Sequence, residues 1–190
     1  MQYTDGLESA RLVTRFVTMA DTTAWLEYYA DPQATAYTAI PGMTAAEMTR
    51  HVLHHTMLRY SDGRMGLQAL LCKEGRELVG MCGLMVQELN GVPEVEIGYH
   101  LLRRHWGKGY ATEAAQLFRD YGFRNGVASL VSIIHPGNIA SQKVAIRNGM
   151  QIDPSITVFK GQQRMVFRIT MEEWMHLGYQ TAQFNSNTNT

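Results

Sequence analysis

The stretch RRHWGKGYAT, residues 103–112, places two glycines one residue apart among basic side chains, just before an alanine-rich segment. Glycine at positions 107 and 109 lets the backbone approach an anion without a Cβ in the way and permits positive φ angles. A helix that begins directly after them offers unpaired N–H groups and the positive end of its dipole. Lys108 and two arginines add formal charge. The pattern predicts an anion site that can hold two or more phosphate oxygens.

Two familiar phosphate-binding motifs do not match this loop. Gly-x-x-x-x-Gly-Lys-[Ser/Thr] fails because one residue separates the glycines and no Ser or Thr follows the lysine. Gly-x-Gly-x-x-Gly fails because position 112 is Thr. The simplest alternative is a glycine-rich turn that binds nothing.

Hydrophobic periodicity and turn signals predict the elements that position the loop. Strands are expected at 11–17, 66–73, 77–87, 94–102, 128–134, 155–160 and 164–170. Helices are expected from Thr18 to Asp31, from Thr44 to about Tyr60, over 110–124, over 138–148 and over 171–179. Asn90-Gly91 is a hairpin signal between two of the strands. The resulting order is β-α-α-β-β-β-α-β-α-β-β, a mixed sheet flanked by helices.

Composition indicates a globular protein with one domain over residues 1–178 and a polar, disordered tail over 179–190. The formal net charge of zero argues against nucleic acid or an anionic membrane as a partner. The N-terminus lacks a signal pattern and no apolar segment approaches ~18 residues, so a cytoplasmic protein is expected. Cys72 and Cys82 lie in apolar segments without a Cys-x-x-Cys motif. They are expected to be buried, with no cysteine near the site.

The loop and its surroundings resemble one enzyme superfamily. Arg104-x-x-Gly107-x-Gly109 is similar to the acetyl-CoA pyrophosphate signature of the GNAT superfamily of N-acetyltransferases, Gln/Arg-x-x-Gly-x-Gly/Ala. The segments ESARLVTRFV, EIGYHLLRRHWGKGYATEA and NIASQKVAIRNGM resemble the ribosomal-protein (RimJ/RimL-type) branch of that superfamily. The resemblance covers about residues 7 to 177, and the order of elements agrees throughout.

That resemblance implies an α+β fold, a mixed and mostly antiparallel seven-stranded sheet that is splayed between its fourth and fifth strands. The donor acetyl-CoA would lie in the splay. Its pantetheine arm would pair with backbone and side chains of Leu101, Leu102, Arg103, Asn138 and Ser141. Its pyrophosphate would lie against Arg104, His105, Trp106, Gly107, Lys108 and Gly109, with Tyr110 and Ala111 opening the helix behind. Trp106 would either stack on the adenine or pack on that helix.

The fourth strand carries the candidates for a general base. A primary ammonium group has a pKa near ~10, so a base or a chain of waters must take its proton before it attacks. In an extended strand Glu94, Glu96 and His100 share one face. The resemblance implies that Glu96 is the base, directly or through water. His100 and Glu94 are alternatives, and a salt-bridged strand residue is the plain structural reading of Glu96.

A general acid is harder to identify. Many relatives place a tyrosine seven residues after the asparagine of the NIAS segment, whereas Ala145 follows Asn138 at that distance and residues 138–150 contain no tyrosine. Ser141 matches a serine of the ribosomal-protein branch and is the candidate. An ordinary helix serine, with water as the proton source, is the alternative.

A second cluster, His51, His54 and His55, places histidines at i and i+4 as on a possible metal face. No carboxylate is spaced as in His-Glu-x-x-His, and the third ligand is unidentified. Surface histidines are the favoured interpretation, and no metal is expected.

The sequence predicts an acetyl-CoA-dependent N-acetyltransferase that acts by direct transfer to a primary amine, on a protein N-terminus or on a small molecule. Two alternatives stay open: a non-catalytic acetyl-CoA sensor, and a nucleotide-phosphate site unrelated to coenzyme A. Exposed strand edges also favour a homodimer.

Overall fold

A computed structural model describes residues 3–38 and 40–178, apart from the side chains of residues 155 and 156. Seven strands form one sheet in the order β1-β2-β3-β4-β5-β7-β6. The strands are β1 (Leu12–Phe16), β2 (Leu67–Cys72), β3 (Leu78–Leu89), β4 (Val92–Leu101), β5 (Ser129–Ile134), β6 (Gln151–Phe159) and β7 (Gln162–Thr170). Every neighbouring pair is antiparallel except β4 and β5, which are parallel. The predicted mixed, mostly antiparallel sheet is confirmed.

Helices cover both faces of this sheet. They are α1 (Thr22–Ala30), α2 (Pro32–Thr35), α3 (Ala45–Ser61), α4 (Tyr110–Arg124), α5 (Ile139–Arg147) and α6, which includes residues 171–178. The predicted capping box of α3 is present, because the backbone N–H of Thr44 donates to the Glu47 carboxylate (2.8 Å) and the Glu47 N–H donates to the Thr44 hydroxyl (3.3 Å). The predicted disordered tail, 179–190, lies outside the described residues.

Helix α1 ends at Ala30 with Asp31 as its C-cap, as the Asp31-Pro32 pair predicted. Two details differ from the prediction: the chain after Thr18 begins as a 3-10 turn over Met19–Asp21, and a short α2 follows with Pro32 at its first position. Strand β6 begins at Gln151, four residues before the predicted start, despite Pro154. Proline is tolerated there because β6 is an edge strand whose register shifts between Asp153 and Ile156.

Each face of the sheet has its own hydrophobic cluster. Helix α4 covers one face with Phe118 against Leu84, Ile97 and Leu130, all of them fully or almost fully buried. Helices α1 and α3 cover the other face, where Trp25 and Leu53 are at most 1% exposed. Successive residues of β4 therefore alternate between an α4 face and an α1/α3 face.

Strand β4 is held in place by its long pairing with β3. The two-residue turn Asn90-Gly91 has φ angles of 53° and 79°, as the predicted tight hairpin requires. At the far end of the pairing, Gly80 lies opposite Leu101. A Cβ on Gly80 would lie 2.2 Å from the carbonyl oxygen of His100 and 2.8 Å from the Cα of Leu101. Glycine here lets β3 approach the end of β4 from which the glycine-rich loop departs.

We expect Gly80→Ala to destabilise the fold by about 1–3 kcal/mol, because the added methyl group overlaps backbone atoms that cannot move without disturbing the sheet. Urea unfolding measures the change. Gly178→Ala is the matched control, since a Cβ there meets nothing within 4 Å. Equal stability of the two variants would contradict the proposed close approach.

Candidate active site

The glycine-rich loop connects β4 to α4. A 3-10 turn over Arg103–His105 leads to Gly107 and Gly109, whose φ angles are 73° and 81°, so both glycines adopt the left-handed conformation. Gly109 is the N-cap of α4, and no side chain caps the helix. A Cβ at Gly107 would meet nothing within 4 Å. The first N–H groups of α4 and the loop backbone thus form an open cradle of donors, which suits an anion.

The basic side chains of the loop are partly neutralised. The Arg104 guanidinium pairs with the carboxylates of Glu27 and Glu77, and Arg103 lies 3.6 Å from Asp31. Lys108 is exposed. Because two acidic residues already pair with Arg104, the cradle consists of backbone N–H groups and not of the charge of this arginine.

Two aromatic side chains of the loop point back into the fold. His105 is only 5% exposed, and burial lowers its pKa below the ordinary value. The Trp106 indole N–H donates to the carbonyl oxygen of Leu101 (3.0 Å), so the ring folds back on the end of β4 while 44% of the residue stays exposed. The backbone N–H of Leu102 donates to Val79 of β3 (3.0 Å).

Arg11, which sequence reasoning missed, braces the loop from the start of β1. Its guanidinium donates to the carbonyl oxygen of Lys108 (2.9 Å) and to the carboxylate of Glu113 (2.7 Å), and it lies 4.5 Å from the ring centroid of Tyr110. Its backbone N–H also donates to Glu113 (2.7 Å). No local pattern shows these contacts, because they join residues about a hundred positions apart. Arg11 is a positioning residue for the cradle.

Strands β4 and β5 separate beside the loop. Only Val95–Leu130 and Glu96–Val131 are in register among the described pairs of these strands, although β4 continues to Leu101. Beyond them the Ser132 hydroxyl donates to the carbonyl oxygen of Ile97 (3.0 Å). A side chain thus replaces the backbone ladder at this point, and the sheet is split from here onward.

Helix α5 starts at the open end of the split. The Asn138 side chain accepts a hydrogen bond from the backbone N–H of Ser141 (3.1 Å) and caps this helix. Both residues are half-buried, on the first turn. Ala145, seven residues after Asn138, is fully buried. The pairing of these residues with a pantetheine arm stays a prediction.

Glu96 lies on the α1/α3 face of β4, at the last paired position before the split. The Gln87 amide donates to its carboxylate (2.8 Å). Burial raises the pKa of Glu96, although hydrogen bonds from Gln87 and the Ile133 backbone and the charges of Lys160 and Arg59 oppose this. A half-buried carboxylate with a raised pKa is suited to accept a proton near neutral pH.

The two alternatives on the same face of β4 have different surroundings. The Arg168 guanidinium binds Glu94 through two hydrogen bonds of 2.8 and 3.0 Å, so this carboxylate is committed to an ion pair. His100 lies 3.2 Å from the Tyr28 hydroxyl, and burial lowers its pKa to about 4. His100 is therefore neutral at physiological pH, and Glu96 is the one carboxylate of β4 at the split.

Both cysteines lie closer to this region than the sequence suggested, so the expectation of no cysteine near the site was wrong. Cys82 pairs with Tyr99 across β3 and β4, and the Cys72 sulfur lies 3.7 Å from the Tyr110 hydroxyl. Cys82 is fully buried, and burial raises the pKa of its thiol far above the ordinary value. A thiolate nucleophile at Cys82 is disfavoured.

The histidines of α3 were the other candidate site. The imidazole rings of His51 and His55 lie 4.3 Å apart, and His54 packs beside them. Across residues 3–38 and 40–178, no three His, Cys, Asp or Glu side chains are arranged to hold a metal ion. In the same part of the chain, no helix is both long and apolar enough to cross a bilayer.

Comparison with known proteins identifies the family. The family model described as "Acetyltransferase (GNAT) domain" matches residues 11–151. The chain belongs to the GNAT acetyltransferase family. It is 33% identical over 142 residues to an uncharacterized N-acetyltransferase, p20, of Bacillus licheniformis, a match that covers 74% of this chain and 79% of the relative.

Solved GNAT structures share the fold. An acetyltransferase from Agrobacterium tumefaciens superposes with a TM-score of 0.74 at 30% identity, over 86% of this chain and 92% of that one. RimL, a ribosomal L7/L12 alpha-N-protein acetyltransferase solved with coenzyme A, superposes with a TM-score of 0.67 at 20% identity, over 85% and 95%. GNAT enzymes take their acetyl group from acetyl-CoA, and the glycine cradle with its uncapped helix fits the pyrophosphate of that donor.

We expect Arg11→Ala to weaken coenzyme A binding about tenfold, because the loop loses hydrogen bonds from a charged group that fix its backbone. Isothermal titration calorimetry measures the dissociation constant. Lys73→Ala is the control, since it removes a neighbouring surface pair with Glu8 (2.8 Å) that does not touch the loop. Unchanged affinity in Arg11→Ala would show that the loop holds its shape without the brace.

We also expect Glu96→Gln to be at least as stable as the wild type at pH 7.5. Since folding raises the pKa of Glu96, the ionised carboxylate opposes folding above that value, whereas below the unfolded value of about 4.3 both states are protonated and the difference vanishes. Glu94→Gln should instead destabilise, because it breaks the pair with Arg168. Urea midpoints between pH 4 and 8 test both, and a clear loss of stability in Glu96→Gln would contradict the assignment.

Proposed function

We propose that this GNAT acetyltransferase is an N-acetyltransferase that moves the acetyl group of acetyl-CoA directly to a primary amine. The observation that carries the proposal is the position of Glu96, a carboxylate with a raised pKa at the split in the sheet, on the strand that leads into the pyrophosphate loop. In the proposed reaction the ammonium group of the acceptor loses a proton to Glu96, directly or through water. Its nitrogen then attacks the acetyl carbonyl carbon.

Direct transfer within a ternary complex is favoured over an acetylated enzyme. Covalent catalysis requires an activated nucleophile. The one cysteine beside the split, Cys82, is fully buried with a raised thiol pKa, which supports transfer without such an intermediate.

The acceptor is proposed to be the amine of a protein N-terminus or of a small molecule. RimL, which shares the fold, is an alpha-N-protein acetyltransferase. We propose that this amine approaches from the α1/α3 face of β4, which carries both Glu96 and neutral His100. The His100 ring lies 3.2 Å from the Tyr28 hydroxyl of α1. We further propose that the protein acts in the cytoplasm.

A screen of small amines and N-terminal peptides with acetyl-CoA, which reads the released thiol, tests the activity. Transfer to an amine is expected. Tight binding of acetyl-CoA without turnover of any amine would instead favour the sensor, and thermal stabilisation by ATP but not by acetyl-CoA would favour an unrelated phosphate site.

With the best acceptor, Glu96→Gln should lower kcat at pH 7 by about 100-fold or more, the usual contribution of a general base. The loss should shrink as the pH approaches the pKa of the amine, near ~10, because the free amine then needs no base. Glu94→Gln, on the same face of the same strand, should change kcat little. A loss in Glu96→Gln that is equal at every pH would contradict the role of base.

A further inference from the structure

The hydroxyl group of Tyr99 lies at the split on the face of β4 opposite to Glu96. It donates to the carbonyl oxygen of Ser141 in the first turn of α5 (2.8 Å). Tyr99 is half-buried and packs against the cluster under α4. The tyrosine side chain thus spans from β4 to the helix that begins at the open end of the split.

Two serines surround this hydroxyl. Ser132 and Ser141 both lie within hydrogen-bonding reach of Tyr99, and the Ser132 hydroxyl itself donates to Ile97 at the point where β4 and β5 separate. Burial raises the pKa of Tyr99, so the phenol keeps its proton and acts as a donor at neutral pH. A hydroxyl hydrogen rotates freely, and it can leave the Ser141 carbonyl for a better acceptor without movement of the backbone.

Glu96 and Tyr99 stand on opposite faces of one strand, three residues or about 10 Å apart along it. Acyl transfer needs a proton acceptor for the nitrogen and a hydrogen-bond donor for the departing sulfur, and both atoms are bonded to the same carbon. Across this distance Glu96 would reach the nitrogen through water while Tyr99 contacts the sulfur. The split provides the passage between the two faces. Ala145 cannot supply a hydroxyl group from α5. Tyr99 of β4 instead places its hydroxyl group against the first turn of the same helix.

We propose that the Tyr99 hydroxyl is the hydrogen-bond donor for the sulfur of the leaving coenzyme A. This inference rests on the proposed acetyl transfer. After an ammonium proton has passed to Glu96, the nitrogen lone pair forms the C–N bond, and the C–S bond breaks with its electron pair kept on sulfur. The Tyr99 O–H stabilises the resulting thiolate, which then takes the second nitrogen proton through water. Hydrogen bonds to charged acceptors are the strong ones, so the effect is concentrated where sulfur becomes negative.

Tyr99→Phe keeps the ring and removes only the hydroxyl. We expect kcat to fall about 10- to 100-fold with little change in the KM for acetyl-CoA, as the loss of one hydrogen bond to a charged group predicts. The pKa of the thiol of bound coenzyme A should rise by about 1 unit, since the thiolate loses its donor. Ultraviolet absorbance of the thiolate, titrated against pH, reads this pKa without turnover. Tyr121→Phe, which removes a hydroxyl that accepts from the backbone of Thr4 (3.1 Å), should change neither quantity.

An unchanged thiol pKa together with a kcat like that of the wild type would overturn the proposal. A loss of thermal stability with an unchanged thiol pKa would make Tyr99 a structural link to α5 only, and would overturn it as well. If Tyr99→Phe does not fold, a fluorinated tyrosine at position 99 keeps the hydroxyl with a lower pKa and should lower the thiol pKa. Failure of the wild type to acetylate any amine would count against the proposed function, whereas full activity in Tyr99→Phe would count only against this inference.

Discussion

The parallel contact between β4 and β5 is the constraint on which the rest of the site depends. Because it stops after Glu96–Val131, the sheet is continuous on one side of that pair and open on the other. The base candidate lies at the last paired position, the loop leaves β4 at the open end, and α5 begins there as well. A ladder that continued to Leu101 would bury the same residues in an ordinary sheet.

The anion binding predicted for the loop would depend on backbone geometry more than on formal charge. Arg104 is already paired with two carboxylates, and the Arg11 guanidinium donates its hydrogen bonds to the loop backbone and to Glu113. What remains open is a pair of left-handed glycines before an uncapped helix. Fixed N–H dipoles of this kind bind an anion without the desolvation cost of a free cation, and their orientation selects for position as well as charge.

The fold could be predicted largely because its signals are local. The Asn90-Gly91 turn, the Thr44–Glu47 cap and the alternation along β4 each depend on residues within a few positions of one another, and all three are as expected. The predictions that were wrong in detail also have local causes, although a general rule pointed the other way. Pro154 argues against a strand, yet an edge strand with a shifted register accepts it, since no neighbour needs the missing N–H.

The sequence by itself determined which residues share a face, where the loop lies and that Glu94, Glu96 and His100 are candidates for one task. Only the tertiary structure separated them, because Glu94 meets Arg168 from 74 positions away while Glu96 stays at the split. The roles proposed for Arg11 and Tyr99 likewise depend on partners across the sheet. Periodicity fixes the direction of a side chain, whereas its partner, its burial and therefore its pKa depend on the strands and helices that packing brings beside it.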